Sequence, residues 1–218
     1  MIIYHGSKQI IKKPVVNGSD EHNDYGASFY LTTDLESAKV WACKHNTPGI
    51  VNEYEIRKTE YEKLKILNLT DKEKYSPLNW IAILVHFRKL SGKFRNEYQL
   101  YLDWLEKYYI DISEYDVVIG YRDDDAYFAF PLSFIQNQLS YDDLERIYRL
   151  GNLGVQQAFM SERAIKLLKF IRTREFDDSY IGKYYEIVRV AAKEFEDSIS
   201  VVKDPYKTYI INMVRGEK

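Results

Sequence analysis

Hydrophobic positions open the chain in short strand-like runs and pass to helical spacing in its middle. Ile2-Ile3-Tyr4-His5 is a β-rich run closed by Gly6-Ser7, and Ile10-Ile11 forms a second short run before Pro14. A turn-rich loop from Asn17 to Asp24 leads to Tyr25-Gly26, and Ser28 to Thr33 reads as a strand by β-propensity. Asp34 stands where an N-cap belongs. Leu35, Ala38, Trp41 and Ala42 then recur at helical spacing, and the helix should stop before Pro48-Gly49. Ile50 to Ile56 reads as another strand.

The middle of the chain predicts helices over Pro77 to Leu90 and Tyr98 to Tyr109. Tyr115 to Tyr121 returns to strand, and Ala126 to Phe130 is expected to continue the sheet. Two short helices are expected over Pro131 to Leu139 and Tyr141 to Leu150. Leu153 to Met160 reads as a strand, with Ser161 as N-cap of a helix over Glu162 to Arg172. From Asp177 the pattern is helical again, broken at Pro205. Strands that recur singly between helices of unequal length give an α+β class, without regular βαβ alternation.

Composition narrows the class. The 218 residues are 45% hydrophobic and 29% charged, which suits a globular core and excludes wholesale disorder. A net charge of −2 gives no global electrostatic reason to bind nucleic acid. Arg88, Lys89, Lys93 and Arg95 do make one basic helix end, read first as cations meeting a helix dipole. The longest apolar run, Trp80 to Val85, is far shorter than the roughly 20 residues of a membrane span. The opening residues lack the basic region of a secretory signal, so the expected setting is cytoplasmic.

Candidate chemistry is sparse. The four histidines, His5, His22, His45 and His86, show no metal-ligand spacing, and the single Cys43 permits neither an internal disulfide nor a cysteine-built zinc site; no metal is expected. Cys43 falls in an apolar helical stripe and reads as core. Asp123-Asp124-Asp125 reads as a solvated turn, because successive side chains of an extended chain alternate faces and cannot all hold one ion. His5 is more informative. It ends a hydrophobic strand, and Gly6 leaves the backbone open to close approach by a ligand.

Three segments in order carry a resemblance: Tyr4-His5-Gly6-Ser7; then Tyr25-Gly26-Ala27-Ser28-Phe29-Tyr30-Leu31-Thr32-Thr33-Asp34 with the helix through Ala38 and Trp41-Ala42; then Leu153-Gly154-Val155-Gln156-Gln157 leading to Ser161-Glu162-Arg163-Ala164. Together they resemble the ADP-ribosyltransferase superfamily and are similar to a small bacterial family, Domain of Unknown Function 3990. The likeness extends through Tyr115 to Gly120 and the Asp123-Asp124 that follow, and so covers most of residues 1 to 172.

The resemblance implies an ADP-ribosyltransferase-like split β-sheet over residues 1–172, with inserted helices and a C-terminal helical extension over 173–218. NAD would lie between the half-sheets as a substrate. In such enzymes the first-strand histidine, here His5, bonds the nicotinamide-side ribose, and the next backbone, here Gly6, holds the carboxamide. Tyr30 and Trp41 match the positions whose aromatic rings stack on nicotinamide. The wider superfamily places a glutamate in the third motif, where this chain has Gln156 and Gln157. Gln156 is the favoured catalytic residue, and Gln157 stands beside it as a cofactor-binding candidate, although strand alternation lets only one point into the cleft. A glutamine can bond a ribose hydroxyl but cannot accept the nucleophile's proton, a loss worth about 10²–10⁴-fold in rate. Glu162, the nearest carboxylate, opens a helix, where an acid suits the dipole without any catalytic duty.

The implied activity is transfer of ADP-ribose to a protein or nucleic acid, with a small antitoxin as possible partner. A catalytically silent NAD-binding module and an NAD glycohydrolase are the alternatives. The apolar face carrying Tyr184, Tyr185, Ile187, Val188, Val190, Ala191 and Phe195 is expected to pack against the rest of the chain, with a partner surface as its other use.

Overall fold

The computed structural model describes residues 1–122, 129–147, 154–176, 178–198 and 203–216. Two sheets organise it. The first runs in the order β1 (Ile2–Ser7), β3 (Ile50–Glu55), β7 (Lys169–Arg174), antiparallel throughout. The second runs β2 (Phe29–Leu31), β6 (Val155–Phe159), β5 (Val117–Tyr121), β4 (Ile66–Asn68), with β4 parallel to β5. A reciprocal backbone pair joins them. Tyr4 N–H donates to Thr32 O at 2.8 Å, and Thr32 N–H donates to Tyr4 O at 2.9 Å. The mixed α+β class is therefore as the sequence reads.

Helix α1 (Leu35–Ala42) follows β2 directly. Asp34 caps it, its carboxylate accepting from Ser37 N–H at 2.9 Å and Glu36 N–H at 3.3 Å. The helix lies so close to β1 that a Cβ built on Gly6 would come within 2.2 Å of the Ala38 carbonyl. Glycine at position 6 therefore serves helix–strand packing in the first instance, where the sequence suggested room for a ligand. A short α2 (Lys58–Tyr61) precedes β4, and α3 (Pro77–Phe87) and α4 (Gly92–Leu105) follow it. Helix α3 is buried along most of its length, and Leu78, Trp80, Ile81, Ile83 and Leu84 pack with Tyr25, Val118 and Ala158 in the larger core. The second core, with Ile3, Phe29, Leu31, Tyr54, Val117 and Phe159, fills the space between the sheets.

Several elements differ from the sequence reading. Ile10-Ile11 is not a strand. Ile10 is 53% exposed, and Ile11 is held by side chains, its N–H donating to Asn52 Oδ1 at 2.8 Å and its carbonyl accepting from the Tyr54 hydroxyl. Phe130, expected to extend the sheet, lies in α5 (Ala129–Ile135), followed by α6 (Tyr141–Ile147). Asp123 to Asp125 and Leu153 fall outside the described residues. Ser161 caps α7 (Glu162–Ile165) as expected, accepting from Ala164 N–H at 3.1 Å, but that helix ends after four residues.

The predicted helix over 166–172 gives way to β7, for a tertiary reason. Strand β3 presents a buried Glu53, and Arg172 and Arg174, two residues apart and so on one strand face, both pair with its carboxylate. The Arg174 bond holds that carboxylate below its usual range against the opposing effect of burial. The expected boundary at residue 172 thus falls inside a paired strand. Beyond it, α8 (Lys183–Ser198) returns to α1: Tyr184 is buried and meets the Trp41 ring edge-on at 6.3 Å. Tyr185 and Val190 remain half exposed, so the apolar face expected to pack inward is divided. The last described helix is α9 (Ile210–Arg215).

Candidate functional site

Strand alternation sets the site. On β6, Gln156 and Ala158 face one side of the second sheet, while Gln157 and Phe159 face the other. The cross-strand partners follow: Tyr30 lies opposite Ala158 and Gly120 opposite Gln156. At this register β1 crosses the edge of the sheet and delivers His5. A cavity of about 150 Å³ results, lined by His5, Asp24, Tyr30, Trp41, Arg88 and Gln156 among others. A second, of about 200 Å³, adjoins it and shares His5, Ser19 and Tyr30. Their joint size falls within the roughly 300–1,000 Å³ of small-molecule sites.

His5 is fixed in one tautomer. Its Nδ1 lies 2.7 Å from the Tyr30 carbonyl, which can only accept, so Nδ1 carries the hydrogen and Nε2 is left as an acceptor. Burial, only partly offset by that bond, lowers the imidazole pKa to about 4, with the Arg122 charge adding to the fall. The ring is neutral at physiological pH and stacks on Phe29 at 4.4 Å. Tyr30 is equally constrained. Its hydroxyl donates to Gly26 O at 2.7 Å and accepts from Tyr25 N–H at 3.0 Å. Burial and the nearby Asp24 charge push its pKa up, so the phenol stays protonated.

Gly6 does not line the cavity, and its backbone N–H and C=O face away from β3. Met1 and Ile56 exchange backbone bonds, so odd-numbered residues of β1 bond to β3. Even-numbered ones, Tyr4 and Gly6, turn their N–H and C=O to the opposite edge, where Tyr4 meets Thr32. Trp41 reaches the cavity from α1 with the Arg122 guanidinium 3.8 Å from its ring centre and Lys44 Nζ at 4.2 Å.

The two glutamines separate as alternation requires. Gln156 Nε2 donates to Asp24 Oδ2 at 2.6 Å and, weakly, to Tyr121 O at 3.5 Å. Gln157 lies on the opposite face, where its Oε1 accepts from the Tyr61 hydroxyl at 2.8 Å. The structure does not bring Gln157 to the cavity, which corrects its place among the cofactor-binding candidates. Glu162 is exposed at the start of α7 and lines neither cavity. Cys43 is buried, and burial raises its pKa, which keeps it a thiol.

Two residues of the cavity escaped the sequence reading. Asp24 looked like one more turn-former, and Arg88 like a surface cation at a helix end. Arg88 instead turns inward and pairs with Asp24 at 2.6 Å, and Asp24 is only 5% exposed. Nothing in their spacing, 64 residues apart, signals the pair. Among the described lining residues, the cations Lys44, Arg88 and Arg122 outnumber the one carboxylate, Asp24.

A larger cavity, about 270 Å³, sits among Trp80, Tyr75, Tyr121, Tyr141 and Lys72 and contains none of the predicted residues. Among the described residues no cluster of histidine, cysteine and acidic groups could hold a metal, and no helix is long and apolar enough to cross a membrane.

No curated protein and no solved structure matches this chain. A model of a protein family of unknown function, DUF3990, matches residues 1–170, the span that contains both sheets up to the start of β7 and every residue lining the cavity. The chain belongs to the DUF3990 family.

Proposed function

We propose that the cavity binds NAD between the two sheets of an ADP-ribosyltransferase-like fold, and that the protein transfers ADP-ribose to a macromolecular acceptor with release of nicotinamide. The observation that carries this reading is the convergence of His5, Tyr30, Trp41 and Gln156, from β1, the consecutive β2 and α1, and the distant β6, on one cavity. The local excess of cationic side chains suits the doubly charged diphosphate of a dinucleotide.

In this reading His5 Nε2 and Gln156 Oε1 accept hydrogen bonds from ribose hydroxyls, and the Gly6 backbone meets the carboxamide. The Tyr30 and Trp41 side chains border the nicotinamide ring. Holding the ring and ribose still favours the conformer in which the glycosidic bond breaks. Its electron pair goes to the nicotinamide nitrogen, which becomes neutral, while C1′ gains oxocarbenium character. Acceptors that bind the ribose hydroxyls more strongly as that charge develops lower the barrier. The acceptor's nucleophile then bonds C1′ and loses its proton to solvent, since Gln156 cannot take it.

The test is incubation of the purified protein with labelled NAD and candidate protein or nucleic-acid acceptors. Nicotinamide release together with a labelled acceptor is expected, and His5→Ala is expected to abolish it. Release with water as the acceptor would make the protein a glycohydrolase. Binding without release would make it a silent module, and no binding at all would remove NAD from the cavity.

A further inference from the structure

The amide of Gln156 could in principle present either end to a ligand, and only one end resembles the carboxylate it stands in for. A carboxylate can only accept, so Nε2 must face Asp24, 2.6 Å away. The Tyr121 carbonyl, 3.5 Å from Nε2, is only a weak second partner, since it already accepts from the Tyr25 hydroxyl at 3.0 Å and from Trp80 Nε1 at 3.2 Å. With Nε2 held on Asp24, Oε1 is the end of the amide turned away from that carboxylate and left to meet a ligand. Asp24 is itself held from behind, its other oxygen accepting from Arg88 at 2.6 Å, with both side chains largely buried. We propose that Asp24, braced by Arg88, is a positioning residue that locks Gln156 with its carbonyl oxygen toward the cavity, so that the glutamine presents a hydrogen-bond acceptor there. Resting on the NAD reading, this makes Gln156 the acceptor half of a glutamate, with the negative charge one residue removed, on Asp24.

The consequence is that residues 24 and 156 are exchangeable as a pair and not singly. In Asp24→Asn the new amide can donate to Gln156 Oε1, turning the Gln156 N–H groups outward. The turnover number for nicotinamide release should fall by about 10- to 100-fold, with KM for NAD changed by less than about threefold. In the double variant Asp24→Asn with Gln156→Glu, the introduced asparagine amide donates to one oxygen of the introduced carboxylate and leaves the other as acceptor. Activity should return to within about threefold of the original or exceed it. Gln156→Glu alone sets two carboxylates against each other and should be less active than the double variant.

A second readout is independent of NAD. Exchange of the Gln156 side-chain amide hydrogens, followed by NMR, should be slow in the parent protein and fast in Asp24→Asn, with circular dichroism confirming that each variant is folded. An amide exchanging at the free rate in the parent protein overturns the proposal. So does an Asp24→Asn variant with parental turnover, or a double variant no better than Asp24→Asn. If the parent protein released no nicotinamide but its amide were protected, the NAD reading alone would fall and the locked orientation would stand.

Discussion

The two faces of the four-stranded sheet are built from the same strands and even from adjacent glutamines, yet they do different work. On one face Leu31, Gln157 and Phe159 line neither cavity, and the amide oxygen there accepts from the Tyr61 phenol, whose pKa burial pushes up to about 12. The face carrying Tyr30 and Gln156 sets charged and polar groups around a cavity. Burial is similar, with Gln156 at 4% and Gln157 at 7% exposure. What distinguishes them is the partner. A neutral phenol holds the Gln157 amide oxygen, whereas Asp24 and Arg88 bring opposed charges to the rim of an open space. Buried polar groups become informative about function when their partners are themselves ionised and border a void.

The sharpest way to break this contrast is to remove the amides one at a time. Gln156→Ala should lower nicotinamide release by about 10²–10³-fold, the usual cost of deleting one group that stabilises developing charge. A turnover assay at saturating NAD checks it. Next comes the seat of α1, which carries Trp41 to the cavity. Gly6→Ala places a methyl 2.2 Å from the Ala38 carbonyl, a backbone atom that cannot swing aside. The expected loss is about 3 kcal/mol of unfolding free energy by denaturant titration.

The third expectation concerns acid. In the unfolded chain His5 takes up a proton near pH 6.5, and in the folded chain only near 4. Between those values the unfolded state binds more protons, so stability is complete above pH 6.5 and declines as the pH falls toward 4. The decline should be about 2 kcal/mol, allowing for the ring's partial access to water through the cavity. Comparing the pH dependence of denaturant midpoints in the parent and in His5→Gln isolates it. The smallest effect belongs to the face of Gln157. Gln157→Ala should cost about 1 kcal/mol of stability, as one lost neutral hydrogen bond does, and leave turnover unchanged. If it matched Gln156→Ala in the turnover assay, the division between the faces would be wrong.

Sequence was a good guide where a local rule decided the outcome. Strand alternation separated the two glutamines, the Asp34 cap located α1, and the order of the three segments anticipated that His5, Tyr30, Trp41 and Gln156 would meet. It failed where a distant partner decided. Strand β4 is three residues long, too short to show a period, and exists because β5 offers it an edge. Strand β7 follows a well-capped helical start and departs from it because β3 needs a neighbour. Asp24 and Arg88 each had a sufficient local explanation, as turn-former and as helix-end cation. Only the fold shows that they face each other.

The contact between β3 and β7 has a practical corollary for where the protein can be divided. The family's span stops at residue 170, four positions before β7 ends. A chain trimmed at the limit of homology would keep every wall of the cavity and yet strip both guanidinium counterions from Glu53, a carboxylate only 3% exposed. The same cut removes the backbone pairing of Val51, Asn52 and Glu53 with residues 172–174, leaving that stretch of β3 an open edge. The smallest autonomous unit therefore extends at least to Arg174, and the limits of kinship and of mechanical integrity are different lines on this polypeptide.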